Sequence, residues 1–357
     1  MSVAYKWVQW NRQKIWYDAI AAGGVVLFVS VFMALGIATA EPGHRVSEPI
    51  LLMRALGAGA LVLLHVILLI GPWSRFTDRV APLLYNRRHL GVLFFAVCVA
   101  HAAVALLFYG GFGETDPVSA LLLSPSADVA SLDAFPFEWL GFLALLIFFV
   151  MGATSHDFWL KNLSPRVWKR LHMLVYVAYA LVIGHVALGS LQSEPDPVVA
   201  WLLRVGVLLV VGSHVLAALV TRARLRARVA GADGWVEVGP PEMITPDRAT
   251  IVALGDGSSV AVFREGSRFS AISNVCAHQG GPLGEGKIVD GCVTCPWHGY
   301  QYRAEDGCSP PPYTERIATY ELRLEGGVLR VNPRAKAPGT RVEPVRVEGL
   351  DGEPSDG

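Results

Sequence analysis

Six apolar stretches fill the first two-thirds of the chain, near residues 21–40, 51–71, 90–110, 138–155, 170–190 and 198–220. At about 1.5 Å of rise per residue, each is long enough to cross roughly 30 Å of hydrocarbon as a helix. After residue 235 the pattern changes. Short runs such as Thr250–Ala253, Ser259–Phe263 and Phe269–Ile272 are separated by Gly-Asp-Gly-Ser, Glu-Gly-Ser and Glu-Gly-Gly turns. That alternation predicts consecutive antiparallel strands. The expected fold is multi-domain, a six-helix transmembrane α bundle followed by a small antiparallel β domain. The bounds expected are an interfacial segment at 1–20, the membrane domain at 21–221, a basic linker at 222–234 and the β domain at 235–333. The Pro/Gly-rich, charged tail at 334–357 is expected to be disordered.

Composition agrees with a membrane protein: 53% of the 357 residues are hydrophobic, 17% are charged, and the formal net charge is zero. That balance argues against nucleic acid as a partner and names membrane lipid instead. No cleavable signal pattern precedes the first stretch, and the run from Tyr5 to Tyr17 is aromatic and basic, like an interfacial anchor. Basic residues fix an orientation. Lys6, Arg12 and Lys14 precede the first span; Arg75, Arg79, Arg87 and Arg88 lie between the second and third. Lys161, Arg166, Lys169 and Arg170 lie between the fourth and fifth, and Arg222, Arg224, Arg226 and Arg228 follow the sixth, whereas the opposite loops carry only Arg45. By the positive-inside rule both termini and the β domain are cytoplasmic, as expected of a protein of a bacterial cytoplasmic membrane.

The strongest chemical signal is Cys276-Ala-His278 and Cys295-Pro-Trp-His298, with sixteen residues between them. Two thiolates on one iron and two imidazoles on the other would suit a [2Fe–2S] centre of mixed ligation; Cys₂His₂ is also a zinc set. The surroundings, Cys276-Ala-His-Gln-Gly-Gly-Pro-Leu-Gly-Glu-Gly286 and Cys295-Pro-Trp-His-Gly-Tyr-Gln-Tyr302, closely resemble the two cluster-binding loops of Rieske proteins. The resemblance implies cluster ligation by Cys276, His278, Cys295 and His298. The disulfide of cytochrome bc-type members is absent, because Gly281 and Trp297 occupy its positions. Tyr302 matches the tyrosine that bonds a ligand sulfur, and Tyr300 stands where high-potential members place a serine. Cys292 and Cys308 are additional; Cys292 reads as a packed thiol and Cys98 as a small apolar residue of a helix.

Ionisable groups inside spanning helices default to function. The third and fifth spans run in the same direction; one carries His89 and His101, 12 apart, the other His172 and His185, 13 apart. These separations correspond to roughly 18 and 20 Å along a helix. Two matching levels of paired imidazoles suit bis-histidine ligation of two stacked b-type haems. The stretches Asn86–His101 and Pro165–His185 also resemble the ferric-reductase-like transmembrane domain, over about residues 20–220. That resemblance implies haem ligation by His101, His185 and His172. His89, beside Arg88, is either the fourth ligand or an interfacial histidine, with His65 and His214 as alternatives. His156 and His44 read as structural, and Arg54 and Arg204 as propionate partners or snorkelling cations. Gly57-Ala-Gly59 falls within a span and reads as helix packing, so no dinucleotide-binding fingerprint is present.

The leading functional expectation is a membrane oxidoreductase or electron-transfer subunit without its own flavin or nicotinamide site. It would conduct electrons between a cytoplasmic cluster and haems in the bilayer, from an unidentified cytoplasmic donor towards an external or membrane acceptor. The alternatives are a quinone-linked oxidoreductase and a non-catalytic redox sensor; the lack of a 2-His-1-carboxylate site argues against a ring-hydroxylating oxygenase. With Tyr300 in place of the serine, a redox titration is expected to give a cluster potential in the lower part of the Rieske range of about −150 to +300 mV. A midpoint near the top would contradict that expectation.

Overall fold

The structure, a computed structural model, describes residues 12–40, 46–80, 83–84, 86–110, 116–122, 131, 135–155, 163, 165–189, 191, 197–226, 231, 233–278, 280–296 and 299–350. The chain divides into two compact units. One is helical (1–73, 86–159 and 170–214); the other comprises 215–357 with the short segments 74–85 and 160–169.

Eight helices are described: α1 (Arg12–Ala38), α2 (Glu48–Trp73), α3 (Arg87–Gly110), α4 (Pro117–Leu122), α5 (Glu138–Thr154), α6 (Pro165–His172), α7 (Val175–Leu188) and α8 (Pro197–Arg226). Among the described residues, five helices are long and apolar enough to cross a membrane: Lys14–Ala38, Glu48–Trp73, Arg87–Tyr109, Val167–Leu188 and Pro197–Val220. The fourth predicted span is the apolar but shorter α5, of 17 residues, about 25 Å long. Residues 12–20 of the expected interfacial segment continue directly into α1, and residues 222–226 of the expected linker continue α8. Residues 1–11 and 227–230 lie outside the described residues. Within the helical unit α2 packs along α3, and α5 along α7. α2 is the most buried span, with Leu61, Leu64 and Leu68 at 1–2% exposure. Outward-facing apolar side chains such as Leu27, Leu107 and Leu208 are exposed, as lipid-facing positions would be.

The second unit is antiparallel β structure, as expected. Its strands are β1 (Val236–Gly239), β2 (Ala249–Ala253), β3 (Ser259–Glu265), β4 (Arg268–Ser273), β5 (Lys287–Val289), β6 (Cys292–Thr294), β7 (Gln301–Arg303), β8 (Thr319–Tyr320), β9 (Leu322–Glu325), β10 (Val328–Val331) and β11 (Val345–Arg346). They form sheets in the orders β1–β10–β9, β11–β4–β3–β2 with β8 on β4, and β5–β6–β7. β3 explains the arrangement. Its run Val260-Ala-Val-Phe263 is buried on both faces, Val260 and Val262 in one core, Ala261 and Phe263 in the other. A strand buried on both sides reads as a continuous apolar run rather than an alternating one. The second core contains Cys276 and Cys295, so β3 forms one wall of the cysteine site.

The tail corrects an expectation. Residues 334–350 are ordered: β11 pairs with β4, the Val347 N–H donates to Ser267 O at 2.9 Å, and Val347 joins the first core. The Arg264 guanidinium donates to the carbonyls of Ile244 and Leu350, at 3.1 and 3.3 Å, satisfying a buried cation and fastening the tail. The Pro/Gly content concealed valines at 345 and 347, two apart on one face of a strand. Deleting residues 334–357 is therefore expected to cost about 2–4 kcal/mol, the value of re-exposing these valines. Earlier loss of the β unit's circular-dichroism signal on heating would report it.

Candidate metal centres

Cys276 follows β4 and Cys295 follows β6, and the two loops share one backbone frame. The Cys276 N–H donates to Gly281 O at 2.9 Å and the Gly280 N–H donates back to Cys276 O at 2.8 Å. Likewise the Cys295 N–H donates to Tyr300 O at 2.8 Å and the Gly299 N–H to Cys295 O at 2.9 Å. Closing this turn needs a left-handed residue four positions after each cysteine, and glycine stands at both, with φ of 72° and 68°. Both cysteines are buried, at 1% exposure. His298 and Trp297 lie outside the described residues. Among the described residues no three such donors close on a single point; a two-iron centre does not require this, because its ligands are divided between two irons.

The two loop tyrosines have different partners. The Tyr302 hydroxyl accepts the Ala277 N–H at 3.1 Å and lies 3.4 Å from Cys276 Sγ. With one lone pair taken, its proton is directed at the sulfur. Burial and then the charge on Cys276 push this phenol upward from its ordinary pKa, so it remains a donor. The Tyr300 hydroxyl donates instead to Glu315 Oε2.

In the helical unit, His101 and His185 come together with ring centroids 6.2 Å apart and planes at 84°. Two imidazoles on opposite sides of one metal, at about 2 Å per bond, would have centroids roughly 6 Å apart. His101 Nδ1 lies 2.9 Å from Met53 O, and His185 Nδ1 3.0 Å from Phe137 O. A carbonyl can only accept, so Nδ1 carries the proton and each Nε2 is left with its lone pair for a metal. Four residues beyond each carbonyl is a glycine. A Cβ on Gly57 would stand 3.1 Å from His101 Cε1, and one on Gly141 2.9 Å from His185 Cε1. Helical side chains lean back over the preceding turn, so any larger residue there would cover the carbonyl. The set Met53, Gly57 and His101 thus recurs 84 positions later as Phe137, Gly141 and His185, with 48 residues from carbonyl to imidazole in each. Both rings line a cavity of about 500 Å³ whose polar lining includes Arg54, Tyr109 and Glu138.

Residues 234–321 match the Rieske [2Fe-2S] domain, and residues 56–183 match the ferric reductase like transmembrane component. The chain joins a ferric-reductase-like membrane domain to a C-terminal Rieske domain. Its Rieske part is 32% identical over 99 residues to the anthranilate 1,2-dioxygenase ferredoxin subunit of Burkholderia cepacia, covering 28% of this chain and 91% of that protein. It is also 34% identical over 91 residues to cholesterol 7-desaturase nvd 1 of Ciona intestinalis, covering 25% of this chain and 19% of the relative. The ferric-reductase-like part is 33% identical over 132 residues to the protein-methionine-sulfoxide reductase heme-binding subunit MsrQ of Ralstonia nicotianae, covering 37% of this chain and 55% of MsrQ. The chain thus spans nearly all of the ferredoxin but about half of MsrQ and a fifth of the desaturase. A [2Fe–2S] cluster fits the Rieske domain, and membrane redox function fits the combination.

The other histidines of the ferric-reductase-like domain are less closely gathered. His89 Nδ1 pairs with the Asp18 carboxylate at 2.9 Å. His172, at the end of α6, has Nε2 3.2 Å from Ser155 Oγ. His65 is buried against α8, where any side chain at Gly206 would overlap its ring, and lies edge-on to Tyr179 at 5.6 Å. Its Nε2 has no hydrogen-bond partner among the described residues. His214 uses both nitrogens, on Val210 O and the Tyr176 hydroxyl. Arg54 lines the cavity, whereas Arg204 is exposed. His44 and His156 lie outside the described residues. The sequence carries no signal for Gly141 or the two carbonyls; Gly57 and Gly59 each pack on a neighbouring helix, Gly57 at His101 of α3 and Gly59 at Phe28 of α1.

Removing the Tyr302 hydroxyl is expected to lower the cluster's potential, because a hydrogen bond to sulfur favours the more negative reduced state. A redox titration of Tyr302→Phe at constant pH checks the direction.

Proposed function

We propose that this protein conducts single electrons between a cytoplasmic Rieske cluster and b-type haem held within the bilayer, towards an external or membrane acceptor. The observation that carries this reading is the His101–His185 pair, with Nδ1 fixed on Met53 and Phe137 and centroids 6.2 Å apart. When bound, the cluster and the haem would supply one-electron redox chemistry. His101 and His185 would hold the outer haem and Arg54, in the same cavity, would face its propionates.

His89 and His172 would hold a second haem nearer the cytoplasm. The Asp18 carboxylate on His89 Nδ1 supports this role, since a carboxylate behind an imidazole fixes its tautomer and strengthens it as a ligand. His172 would exchange Ser155 for iron. The six-span arrangement, with α5 as the fourth span and both termini inside, rests on the distribution of basic residues. Cys276, His278, Cys295 and His298 would hold the cluster on the cytoplasmic side, accessible to a soluble donor.

The test is spectroscopic. Purified full-length protein is expected to show a bis-histidine b-type haem spectrum and a Rieske electron resonance signal, with two haems per cluster. A haem-free membrane domain would end this reading. Gly141→Ala and Gly57→Ala are each expected to weaken haem retention about 10–100-fold, measured as haem absorbance per protein. Gly152→Ala, whose Cβ would meet Phe95 only at 3.8 Å, should leave retention unchanged.

A further inference from the structure

The ligand motifs end at Tyr302, yet a carboxylate fifteen residues beyond Tyr300 reaches the same site. Tyr300 lies flat on His278, centroids 4.7 Å apart and planes within 13°. Tyr313 closes over Tyr300 at 4.9 Å, and Tyr302 lies on another side at 5.5 Å, so the Tyr300 ring is held in place. Its hydroxyl donates to Glu315 Oε2, and the Thr314 N–H donates to the same oxygen at 3.1 Å. The loop bearing Glu315 is itself closed: the Ser309 N–H donates to Glu315 O at 3.0 Å, and Cys308 bridges Arg316. Burial would raise the half-buried Glu315 carboxyl. The Tyr300 hydroxyl and backbone N–H groups outweigh burial and hold it below the usual carboxylate range.

We propose that Glu315 sets the potential of the Rieske cluster: its carboxylate, joined to His278 through stacked Tyr300, places a fixed negative charge beside a ligand imidazole and lowers the reduction potential. Reduction adds one electron and one negative charge to the cluster. A nearby carboxylate disfavours that state most where water is excluded, and net charge is one of the factors that set iron–sulfur potentials. Tyr300 matters twice in this arrangement: it directs its hydroxyl away from the sulfurs and draws the carboxylate in. The proposal requires only the cluster, and stands or falls separately from haem in the membrane domain.

The experiment is a dithionite titration of the full-length protein in membranes, followed by the cluster's electron resonance signal at one pH. Glu315→Gln keeps the volume and an acceptor for Tyr300 but removes the charge; its midpoint is expected to rise. Tyr300→Phe keeps the stacked ring and releases the carboxylate; its midpoint should rise as well. The double variant should rise no further than the larger single change, because both act through one link. A Glu315→Gln midpoint equal to that of the wild type, with the signal intact, overturns the proposal. If Glu315→Gln fails to assemble the cluster, Tyr300→Phe decides, and an unchanged midpoint there overturns it too. Loss of the signal from both variants makes the link structural and likewise overturns the proposal.

Discussion

The hydrogen bond from each imidazole Nδ1 to a helix carbonyl, at Met53 and Phe137, is the contact around which the helical unit is arranged. A histidine in an apolar interior has to dispose of one proton before its other nitrogen can bind metal. A backbone carbonyl does this without importing a charge into the bilayer, but in a helix that carbonyl is already engaged and normally overlaid. Gly57 and Gly141 uncover it. The close packing of α2 on α3 and of α5 on α7 follows, because the imidazole of one helix must reach the backbone of its neighbour.

The β unit meets the same need for preset ligands with both of its backbone groups. Each cysteine sits in a turn closed by its own N–H and C=O, and a left-handed glycine sets the turn. The thiols are placed by main chain, and side chains are left to adjust electronics. Tyr302 reaches a sulfur and Tyr300 reaches a carboxylate. Two tyrosines two residues apart therefore push the potential in opposite directions, because their hydroxyls point at groups of different response to reduction.

Much of this was legible in the sequence. The cysteine–histidine spacing and the separations along the third and fifth spans named His101 and His185 as a pair, since a helix converts residue number directly into depth. Strands β2, β3 and β4 followed from apolar runs. What escaped notice had a weak or distant signal. The 84-residue recurrence rests on three positions, two of which act through backbone or lack a side chain, so periodicity of side-chain type cannot display it. Glu315 belongs to no motif and meets Tyr300 only through loop closure. The tail misleads because its prolines and glycines outnumber the few valines that decide its pairing.

The recurrence has a consequence for assembly. Each helical hairpin supplies one imidazole, one carbonyl and one glycine, which would be half of the site for a haem held by His101 and His185. On the proposed reading neither half would hold the iron alone, and the membrane unit would behave as a dimer written into one polypeptide, with the metal as its joint. Docking of the hairpins and capture of the iron would then be a single cooperative event, and a chain starved of haem would have its two halves held by helix packing alone.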